Sequence, residues 1–468
     1  MKNNILVVLL IFIFSFPCIS NSQNGVKEKL DLLMNECEEN DLFSGTILAA
    51  YNGEILFERS TGFSNREKNI LNNKNTKYNI GSIGKLFTSI MILQLAEEGK
   101  INLDIKISTY LPEMNKSVTI RQLLKHTSGY ADYIRNPEFQ RNKGQYKELK
   151  KLLNLISREQ LLFEPGEKFS YSNSGYAILG GLIEAVTKKS YENNLSERIL
   201  QPLSMNYSGF IEWEDENNDK AIGYITDITG KVNDNRDLQL HPSPAGGMYA
   251  TAEDLLKLDR SLLNDNLLLK DESKVILFNQ FNKESKASLH QILNNPDGEN
   301  VEAGGAPGIN ALLMQYPGKK YTVIVMSNYD HAAEALEKSI SDIIDGKDFQ
   351  MPKLPIGRLL YKTLKDKGLN YTEDNFDKII KEEGYTIEND MMLNNIGYQL
   401  LNNNMAAESI MIFKKNAELF PDVANCYDSL GEAYMLTGDK ENAAASYAKV
   451  LGLDPNNENA KEMLKELK

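Results

Sequence analysis

Two β-hairpin patterns at opposite ends of a long segment are the feature that most constrains the fold. The stretch "SGTILAAYNGEILFERSTG" has two apolar runs joined at Asn52-Gly53, a dipeptide typical of tight hairpin turns. The stretch "NALLMQYPGKKYTVIVMSN" has the same pattern and turns at Pro317-Gly318. Helical patterns such as "LFTSIMILQLAEEG" lie between them. We therefore predict an α+β domain over residues 24–345, with an antiparallel sheet that contains both ends of the segment and is flanked by helices.

The final part of the chain contains an internal repeat. A shift of 34 positions places "LNNIGYQL" on "YDSLGEAY", so that Gly397 falls on Gly431, and an aromatic residue and a proline recur at matching offsets. Small residues where two helices cross, with an aromatic residue between them, resemble the tetratricopeptide repeat. Residues 386–468 are therefore predicted to form an all-α domain of tetratricopeptide-like repeats that binds a protein or peptide partner. Residues 346–385 are predicted to form a linker and a helical segment, interpreted as a degenerate first repeat.

The stretch "NIGSIGKLFTSI" has two interpretations, a phosphate-binding loop or a nucleophile with its activator. A phosphate-binding loop needs Gly-x-x-x-x-Gly-Lys followed by Ser or Thr. Counting back from Gly84-Lys85, the first position is Asn79, and the residue after the lysine is Leu86. The phosphate-loop interpretation therefore fails at both ends of the motif.

The same stretch places a serine and a lysine on one face of a helix. From Leu86 to Ala96 the pattern is apolar on almost every side, which predicts a buried helix that ends at Gly99. Lys85 follows Ser82 by one helical turn. Burial lowers the pKa of a lysine toward that of a useful base, and the start of a helix supplies N–H groups for a developing oxyanion. Ser82 and Lys85 are therefore a candidate nucleophile and activator, although Ser-x-x-Lys alone is weak evidence.

A second motif, "SYSNSG", strengthens this interpretation. Tyr171 and Asn173 are two residues apart, so an extended segment presents both side chains on one side. A tyrosine near a lysine can accept and donate a proton, and an asparagine amide can hold a substrate carbonyl. Alone, the motif is a turn signal; in the same domain as Ser-x-x-Lys, it favours catalysis.

Together these motifs resemble the serine β-lactamase and penicillin-binding-protein-like hydrolases, especially the class C, esterase and D-aminopeptidase branch. The resemblance covers residues 40–345 of the 468-residue chain. It implies a nucleophilic serine that forms an acyl-enzyme without a metal or cofactor, and an active site between an antiparallel sheet and a helical lobe. The blocks that carry it occur in family order: "FSGTILAAYNGEILFE", "IGSIGKLFTSIMILQLAEEGKINLDIKISTYLPE", "VTIRQLLKHTSGY", "EPGEKFSYSNSGYAILGGLIE", "PAGGMYATAEDLLKL" and "GGAPGINALL".

The resemblance also implies roles for individual residues. Ser82 matches the nucleophile and Lys85 its activating lysine. Tyr171 matches the general base of acylation, and Asn173 matches the amide that positions the substrate. The backbone N–H groups of Ser82 and Gly305 match the oxyanion hole. Which of Lys85 and Tyr171 takes the first proton is left open by the sequence.

The third family motif departs from its usual form. It normally reads Lys or His, a small hydroxyl residue, then Gly, whereas this chain has Glu302, Ala303 and Gly304. In the family the cation helps to hold substrate carboxylates, so an anion here is expected to repel them. We predict poor hydrolysis of penicillin-like substrates and a preference for neutral or amine-bearing esters and amides, unless Glu302 points to solvent.

Histidines and cysteines give no metal or disulfide pattern. Only Cys37 and Cys426 follow the N-terminal segment, and the four histidines are scattered, so neither zinc nor another cofactor is expected. In the family the block "HTSG" is a structural turn, so we interpret His126 as a packed, hydrogen-bonded residue and not as a catalyst.

The N-terminal segment predicts export. An apolar run from Ile5 to Phe16 is too short to span a membrane, and with its flanks it indicates a signal peptide over residues 1–22. Lipid attachment at Cys18 is disfavoured because small residues do not precede it. No later segment is apolar enough to span a membrane. The net charge of −13, without a dense run of Lys and Arg, argues against nucleic acid as a partner.

The sequence thus predicts an exported serine hydrolase, periplasmic or extracellular, that acts on a small-molecule or peptide ester, amide or lactam through Ser82. Two alternatives stay open. One is a catalytically silent sensor that keeps the pocket without turnover, which the altered third motif favours. The other is a scaffold in which the repeats carry the function; deletion of residues 386–468 would then abolish it, while Ser82→Ala would not.

Overall fold

The structure is a computed structural model that describes residues 21–212, 219–279, 291 and 293–467. Most of the predicted signal peptide, including Cys18, lies outside these described residues. Within them, no helix combines the length and the apolar character needed to cross a membrane. The chain divides into two compact units: the first contains the described residues up to Gly223 and Asn235–Pro352, and the second contains Tyr224–Asp234 and Lys353–Lys468.

The long strands occur near both ends of the first unit, short strands and helices lie between them in sequence, and the described region from residue 356 onward is helical. The strands are β1 (Gly45–Tyr51), β2 (Glu54–Thr61), β3 (Phe63–Asn65), β4 (Ile70–Leu71), β5 (Tyr78–Asn79), β6 (Tyr224–Thr226), β7 (Val232–Asp234), β8 (Tyr249–Ala250), β9 (Asn300–Ala306), β10 (Ile309–Tyr316) and β11 (Tyr321–Ser327). The helices of the first unit are α1 (Asn21–Glu39), α2 (Gly84–Glu97), α3 (Ile120–Leu124), α4 (Pro137–Arg141), α5 (Leu149–Ile156), α6 (Asn173–Thr187), α7 (Tyr191–Leu195), α8 (Ala252–Leu263), α9 (Asp271–Phe278) and α10 (Glu334–Ile344). Those of the second unit are α11 (Ile356–Lys367), α12 (Leu369–Asp374), α13 (Phe376–Glu382), α14 (Asp390–Asn402), α15 (Ala406–Leu419), α16 (Ala424–Thr437), α17 (Lys440–Leu453) and α18 (Glu458–Glu466).

A five-stranded antiparallel sheet, in the order β2-β1-β11-β10-β9, is the centre of the first unit. Both predicted hairpins are present in it: β1 and β2 are joined at Asn52-Gly53, and β10 and β11 through the short turn Pro317–Lys319. Strand β1 pairs with β11 so that Gly45 lies opposite Ser327. The prediction that the two ends of the domain share one antiparallel sheet is therefore confirmed.

The middle of the sheet is buried on both faces. Every residue of β10 and β11 is buried, whereas the edge strands β2 and β9 keep exposed positions. Helix α8 packs on β1 and β11, α1 packs on β2, and α10 packs on β10. This cover explains why β10 and β11 are nearly continuous apolar runs instead of alternating ones.

Helix α2 lies between the sheet and a helical lobe formed by helices α3 to α7. Its residues from Gly84 to Leu93 are all buried, as the apolar pattern predicts, and its core cluster includes Leu48 and Ile324 of the sheet. It also packs on α6, the helix that begins at Asn173. Gly99 follows the helix with a φ of +70°, a left-handed conformation that favours glycine. The two predicted site motifs therefore lie at the starts of two neighbouring buried helices.

The second unit is a series of helical hairpins with the spacing that the repeat predicts. A Cβ atom at Gly397 would lie 2.4 Å from the Phe413 ring, and one at Gly431 would lie 3.0 Å from the Tyr447 ring. The same close approach of a helix to an aromatic ring thus recurs in α14/α15 and α16/α17. The assignment of these hairpins to the tetratricopeptide family stays a prediction.

The short strands β6 and β7 also belong to the second unit, although residues 224–234 fall in the middle of the predicted hydrolase segment. Ile228, in the turn between the two strands, is buried in a cluster with Leu360 and Ile396. The second unit is therefore discontinuous in sequence, which the composition of the chain does not indicate.

Candidate active site

The turn that carries Ser82 is held between two segments that contain glycine, one at Gly247 and one at Gly304. Asn79 accepts a hydrogen bond from the N–H of Gly81 (2.9 Å), and the carbonyl of Gly81 accepts one from the N–H of Gly247 (3.1 Å). A Cβ atom at Gly304 would lie 1.9 Å from the carbonyl oxygen of Ile80, so β9 approaches the turn closely enough to require glycine. Ser82 therefore has a fixed backbone position beside β9.

Lys85 is buried, with 5% of its surface exposed, and points at the serine. Its Nζ donates to Ser82 Oγ (3.0 Å), to Asn173 Oδ1 (2.7 Å) and to the carbonyl oxygen of Ala245 (2.5 Å). Burial lowers the pKa of Lys85 to about 7, and the charge of Asp132 opposes this shift. A pKa of about 7 means that Lys85 loses its proton near neutral pH.

Tyr171 approaches the same oxygen from the other motif. Its hydroxyl donates to Ser82 Oγ (2.7 Å), and its ring centroid lies 4.9 Å from Lys85 Nζ. Burial raises the pKa of Tyr171 to about 12, so the phenol keeps its proton at neutral pH. The structure thus brings three predicted residues into direct contact around one oxygen.

His126 packs against the Tyr171 ring. It is buried with a left-handed φ of +53°, and its Nδ1 accepts a hydrogen bond from the N–H of Ser172 (3.1 Å). Its ring stacks on the Tyr171 ring at a centroid distance of 4.5 Å. Burial and the nearby Lys85 lower the pKa of His126 to about 3, so it is neutral. This agrees with its interpretation as a packed, hydrogen-bonded residue.

Two partners of the site were missed in the sequence. Asn173 donates from Nδ2 to Asp132 Oδ2 (2.8 Å) while its Oδ1 accepts from Lys85. The carbonyl of Ala245, in the block "PAGG", is the third acceptor of the lysine. Asp132 lies six residues after His126, close to the block "HTSG". Its acidic side chain near that block was the one feature of the sequence that could have indicated a role in the site. A backbone carbonyl leaves no signal in a sequence.

Glu302 faces the site and not open solvent. It is half-buried on β9 and lines a cavity of about 210 Å³ with Ser82, Lys85 and Tyr171. Burial raises the pKa of Glu302 to about 7. The carboxyl is therefore neutral in acid and anionic in base.

A second cavity, of about 250 Å³, also has Ser82 in its lining. Ser82, Asn173 and Gly305 line it, together with Tyr133 and the aliphatic Leu240. The Ser82 turn and Gly305 are adjacent, because a Cβ atom at Gly81 would lie 2.6 Å from the Gly305 nitrogen. The predicted oxyanion-hole residues thus border the same cavity. Within the described residues, no group of three or more His, Cys, Asp or Glu side chains could hold a metal ion.

An antiparallel sheet built from both ends of the first unit, a helical lobe and a Ser-Lys-Tyr cluster between them define the β-lactamase/penicillin-binding-protein fold. The chain belongs to the Beta-lactamase family, whose family model matches residues 31–343. It is a β-lactamase-fold serine hydrolase related to the penicillin-binding proteins.

The chain is similar to several named proteins. Protein flp of Staphylococcus aureus (strain N315) is 27% identical over 346 residues, which cover 70% of this chain and 68% of that protein. Penicillin-binding protein 4* of Bacillus subtilis (strain 168) is 27% identical over 357 residues, which cover 70% of this chain and 78% of that protein. Among solved structures, a penicillin binding protein from Bacillus halodurans matches with a TM-score of 0.58 and 28% identity, over 67% of this chain and 97% of that one.

Proposed function

We propose that this protein hydrolyses esters or amides by acyl transfer through Ser82. One observation carries the proposal: Ser82 Oγ is within hydrogen-bond distance of both Lys85 Nζ (3.0 Å) and the Tyr171 hydroxyl (2.7 Å). A serine hydroxyl is a weak nucleophile until a base takes its proton, and both neighbours are positioned to exchange protons with it.

Their pKa values favour Lys85 as the first acceptor. The pKa of Lys85 is lowered to about 7, so about half of the molecules have a free amine at neutral pH, whereas a phenol with a pKa of about 12 is almost fully protonated. In this scheme Lys85 takes the Ser82 proton as Oγ attacks the carbonyl carbon. Tyr171 then gives its proton to the leaving group and takes the proton held by Lys85.

The rest of the cycle regenerates the serine. The backbone N–H groups of Ser82 and Gly305 stabilise the oxyanion of each tetrahedral intermediate. Water then attacks the acyl-enzyme, its proton passes to the neutral Lys85, and Ser82 regains a proton as the acid leaves. Asn173 holds Lys85 and the acyl carbonyl during both steps.

The proton path also assigns the two halves of the substrate. The proton must reach the leaving-group atom, and Lys85 and Tyr171 line the cavity that contains Glu302. We therefore assign the leaving group to this cavity and the acyl group to the cavity lined by Asn173 and Gly305.

This assignment gives the substrate preference. A leaving-group carboxylate at about 4 Å from an ionised Glu302 is repelled by about 4 kcal/mol at an effective dielectric near 20. A penicillin has its carboxylate on the ring that contains the leaving nitrogen. We therefore propose neutral or amine-bearing leaving groups and inefficient hydrolysis of penicillins, although the similar Bacillus subtilis protein is named for penicillin binding.

Three further assignments belong to the proposal. Residues 1–22 act as a signal peptide, so that the hydrolase works outside the cytoplasm. Residues 24–345 form the hydrolase domain, followed by the linker segment 346–385. Residues 386–468 form tetratricopeptide-like repeats that bind a peptide or protein partner, which is supported by the repeated Gly–aromatic packing of two helical hairpins.

Covalent labelling tests the proposal. The protein is mixed with a fluorophosphonate and, separately, with a penicillin, and intact mass is measured for wild type, Ser82→Ala and the exposed control Ser117→Ala. Fluorophosphonate labelling of wild type and Ser117→Ala, but not of Ser82→Ala, is expected, with little or no stable penicillin adduct. An unlabelled wild type would instead support the silent sensor, which the altered third motif favours.

A further inference from the structure

The most informative group outside the predicted catalytic set is the carboxylate behind Asn173. Asp132 Oδ2 accepts a hydrogen bond from Asn173 Nδ2 (2.8 Å), and Asn173 Oδ1 accepts one from Lys85 Nζ (2.7 Å). Lys85 Nζ in turn donates to Ser82 Oγ (3.0 Å). A carboxylate, an amide, an amine and a hydroxyl are thus linked in one chain of hydrogen bonds.

The backbone holds Asp132 rigidly. The carbonyl of Ala131 accepts a hydrogen bond from the Ser174 hydroxyl (2.6 Å), and the N–H of Tyr133 donates to the same hydroxyl (2.9 Å). The other carboxylate oxygen, Oδ1, accepts from the N–H of Ile134 (3.1 Å). Both neighbours of Asp132 are therefore tied to the residue that follows Asn173, and the two side chains keep a fixed separation.

The carboxylate determines which way the Asn173 amide faces. A carboxylate can only accept hydrogen bonds, so the NH₂ group of Asn173 must face Asp132 and its oxygen must face Lys85. The opposite orientation would place NH₂ against the lysine amine and leave the carboxylate facing an oxygen. The amide is therefore fixed in the one orientation that holds the lysine against the serine.

Asp132 also contributes charge to the lysine environment. Its negative charge acts in favour of the protonated amine, against the dominant effect of burial. The other titratable groups that face Lys85 are Tyr171 and Tyr176, whose rings lie 4.9 Å and 5.7 Å from Nζ, neutral His126, and Glu302 in the shared cavity. Glu302 titrates in the same range as the lysine, whereas the two phenols and His126 do not change charge near neutral pH.

We propose that Asp132 is a positioning residue of the hydrolase: it fixes the Asn173 amide and acts, through that amide, as the counter-charge of the activating lysine. The inference rests on the proposed function of Ser82 and Lys85 and adds a fourth member to their hydrogen-bond chain. Asp132 acts through Asn173, because the Asn173 amide lies between the carboxylate and Lys85 in the hydrogen-bond chain.

Replacing Asp132 by Asn should change both the rate and its pH dependence. Asparagine has one acceptor oxygen for the two donors, Ile134 N–H and Asn173 NH₂, so the Asn173 amide loses its fixed orientation and the rate falls about tenfold. Loss of the negative charge lowers the pKa of Lys85 further below its usual value. The free amine then forms at lower pH, and the acid limb of the pH–rate profile moves down by about one pH unit.

The experiment measures the rate of Ser82 labelling by a fluorophosphonate, followed by intact mass, from about pH 5 to about pH 9. The variants are Asp132→Asn, Asn173→Ala and the double variant, with Asp104→Asn as the control, because Asp104 pairs with Arg121 at the surface. Circular dichroism checks that each variant is folded. If Asp132→Asn does not fold, Asp132→Glu replaces it and is expected to keep the wild-type midpoint with a lower plateau.

The expected result is a lower plateau and a lower midpoint for Asp132→Asn, a wild-type profile for Asp104→Asn, and a plateau in the double variant within about twofold of Asn173→Ala alone. Two results would overturn the inference, provided that wild-type Ser82 is still labelled. One is an unchanged midpoint in Asp132→Asn. The other is a loss of plateau rate on replacing Asp132 that is the same in the Asn173→Ala protein as in the wild type. A wild type that is not labelled at Ser82 refutes the proposed function itself, so the two failures are distinguishable.

Discussion

Replacing Glu302 by Gln should remove a pH-dependent choice between substrates. Burial raises the pKa of Glu302 to about 7, above its usual value, so the carboxyl keeps its proton until the pH passes that value. A carboxylate on the leaving group therefore meets a neutral partner in acid and a like charge in base. Glutamine is neutral at every pH and keeps the size of the side chain.

The magnitude follows from the titration of this one group. The neutral fraction of Glu302 falls from roughly nine-tenths at about pH 6 to roughly one-tenth at about pH 8. A repulsion of about 4 kcal/mol at about 4 Å makes the anionic form nearly inactive toward a carboxylate-bearing substrate. The kcat/KM for such a substrate, divided by that for its neutral analogue, should therefore fall about tenfold over this interval in the wild type.

The assay uses two esters that differ only in a carboxylate or a carboxamide on the leaving alcohol. Their ratio cancels the titration of Lys85, because both substrates need the same free amine. Glu302→Gln should give a flat ratio, and Glu54→Gln, on the exposed edge strand β2, should keep the wild-type slope. A flat ratio in the wild type, or the same slope in Glu302→Gln, would refute the assignment of the leaving group to this cavity.

Three further outcomes are expected. The arginine in Lys85→Arg does not lose its proton near neutral pH, so Ser82 labelling should slow at least about a hundredfold. A labelling rate near that of the wild type would exclude Lys85 as the base. Burial raises the pKa of Asp259 to about 6, so the folded state binds this proton more tightly and the free energy of unfolding falls as the pH rises from about 4 to about 6. The decline is worth up to about 3 kcal/mol, and Asp259→Asn should lack it in urea titrations. The same pH slope in Asp259→Asn as in the wild type would contradict the burial argument. Gly397→Ala should destabilise the helical unit by about 1–3 kcal/mol, because the added Cβ meets the Phe413 ring. Gly452→Ala should be neutral or stabilising, because the space around Gly452 is open. Equal unfolding midpoints for the two variants would contradict the close helix crossing.

The parts of the fold that the sequence predicts well are those set by local signals. The turns at Asn52-Gly53 and Pro317-Gly318 are marked by their own residues, and the apolar runs around them fix two hairpins. Helix α2 is predictable because an apolar surface on all sides has to be buried. Pairing between β1 and β11 followed from resemblance and from the position of the two hairpins, not from any local pattern.

The site divides in the same way. Ser82 and Lys85 share one helical turn, so their contact is a local property, and Tyr171 was placed beside them by its motif. Asp132 was missed because its contact with Asn173 depends on how a loop folds back on a helix, which has no periodic signal. The charge of Glu302 also depends on burial, which residue identity alone does not specify.

The pairing of β1 with β11 has a consequence for the time at which the Ser82 site is assembled during synthesis. Ser82 is translated early, but β9, which carries Gly304 and Gly305, and β11, which pairs with the first strand, emerge more than two hundred residues later. A nascent chain that stops short of these strands has the Ser82 turn without the edge strand that lies beside it. Both ends of the domain must therefore be synthesised before β1 can pair with β11 and before Gly304 and Gly305 can lie beside that turn.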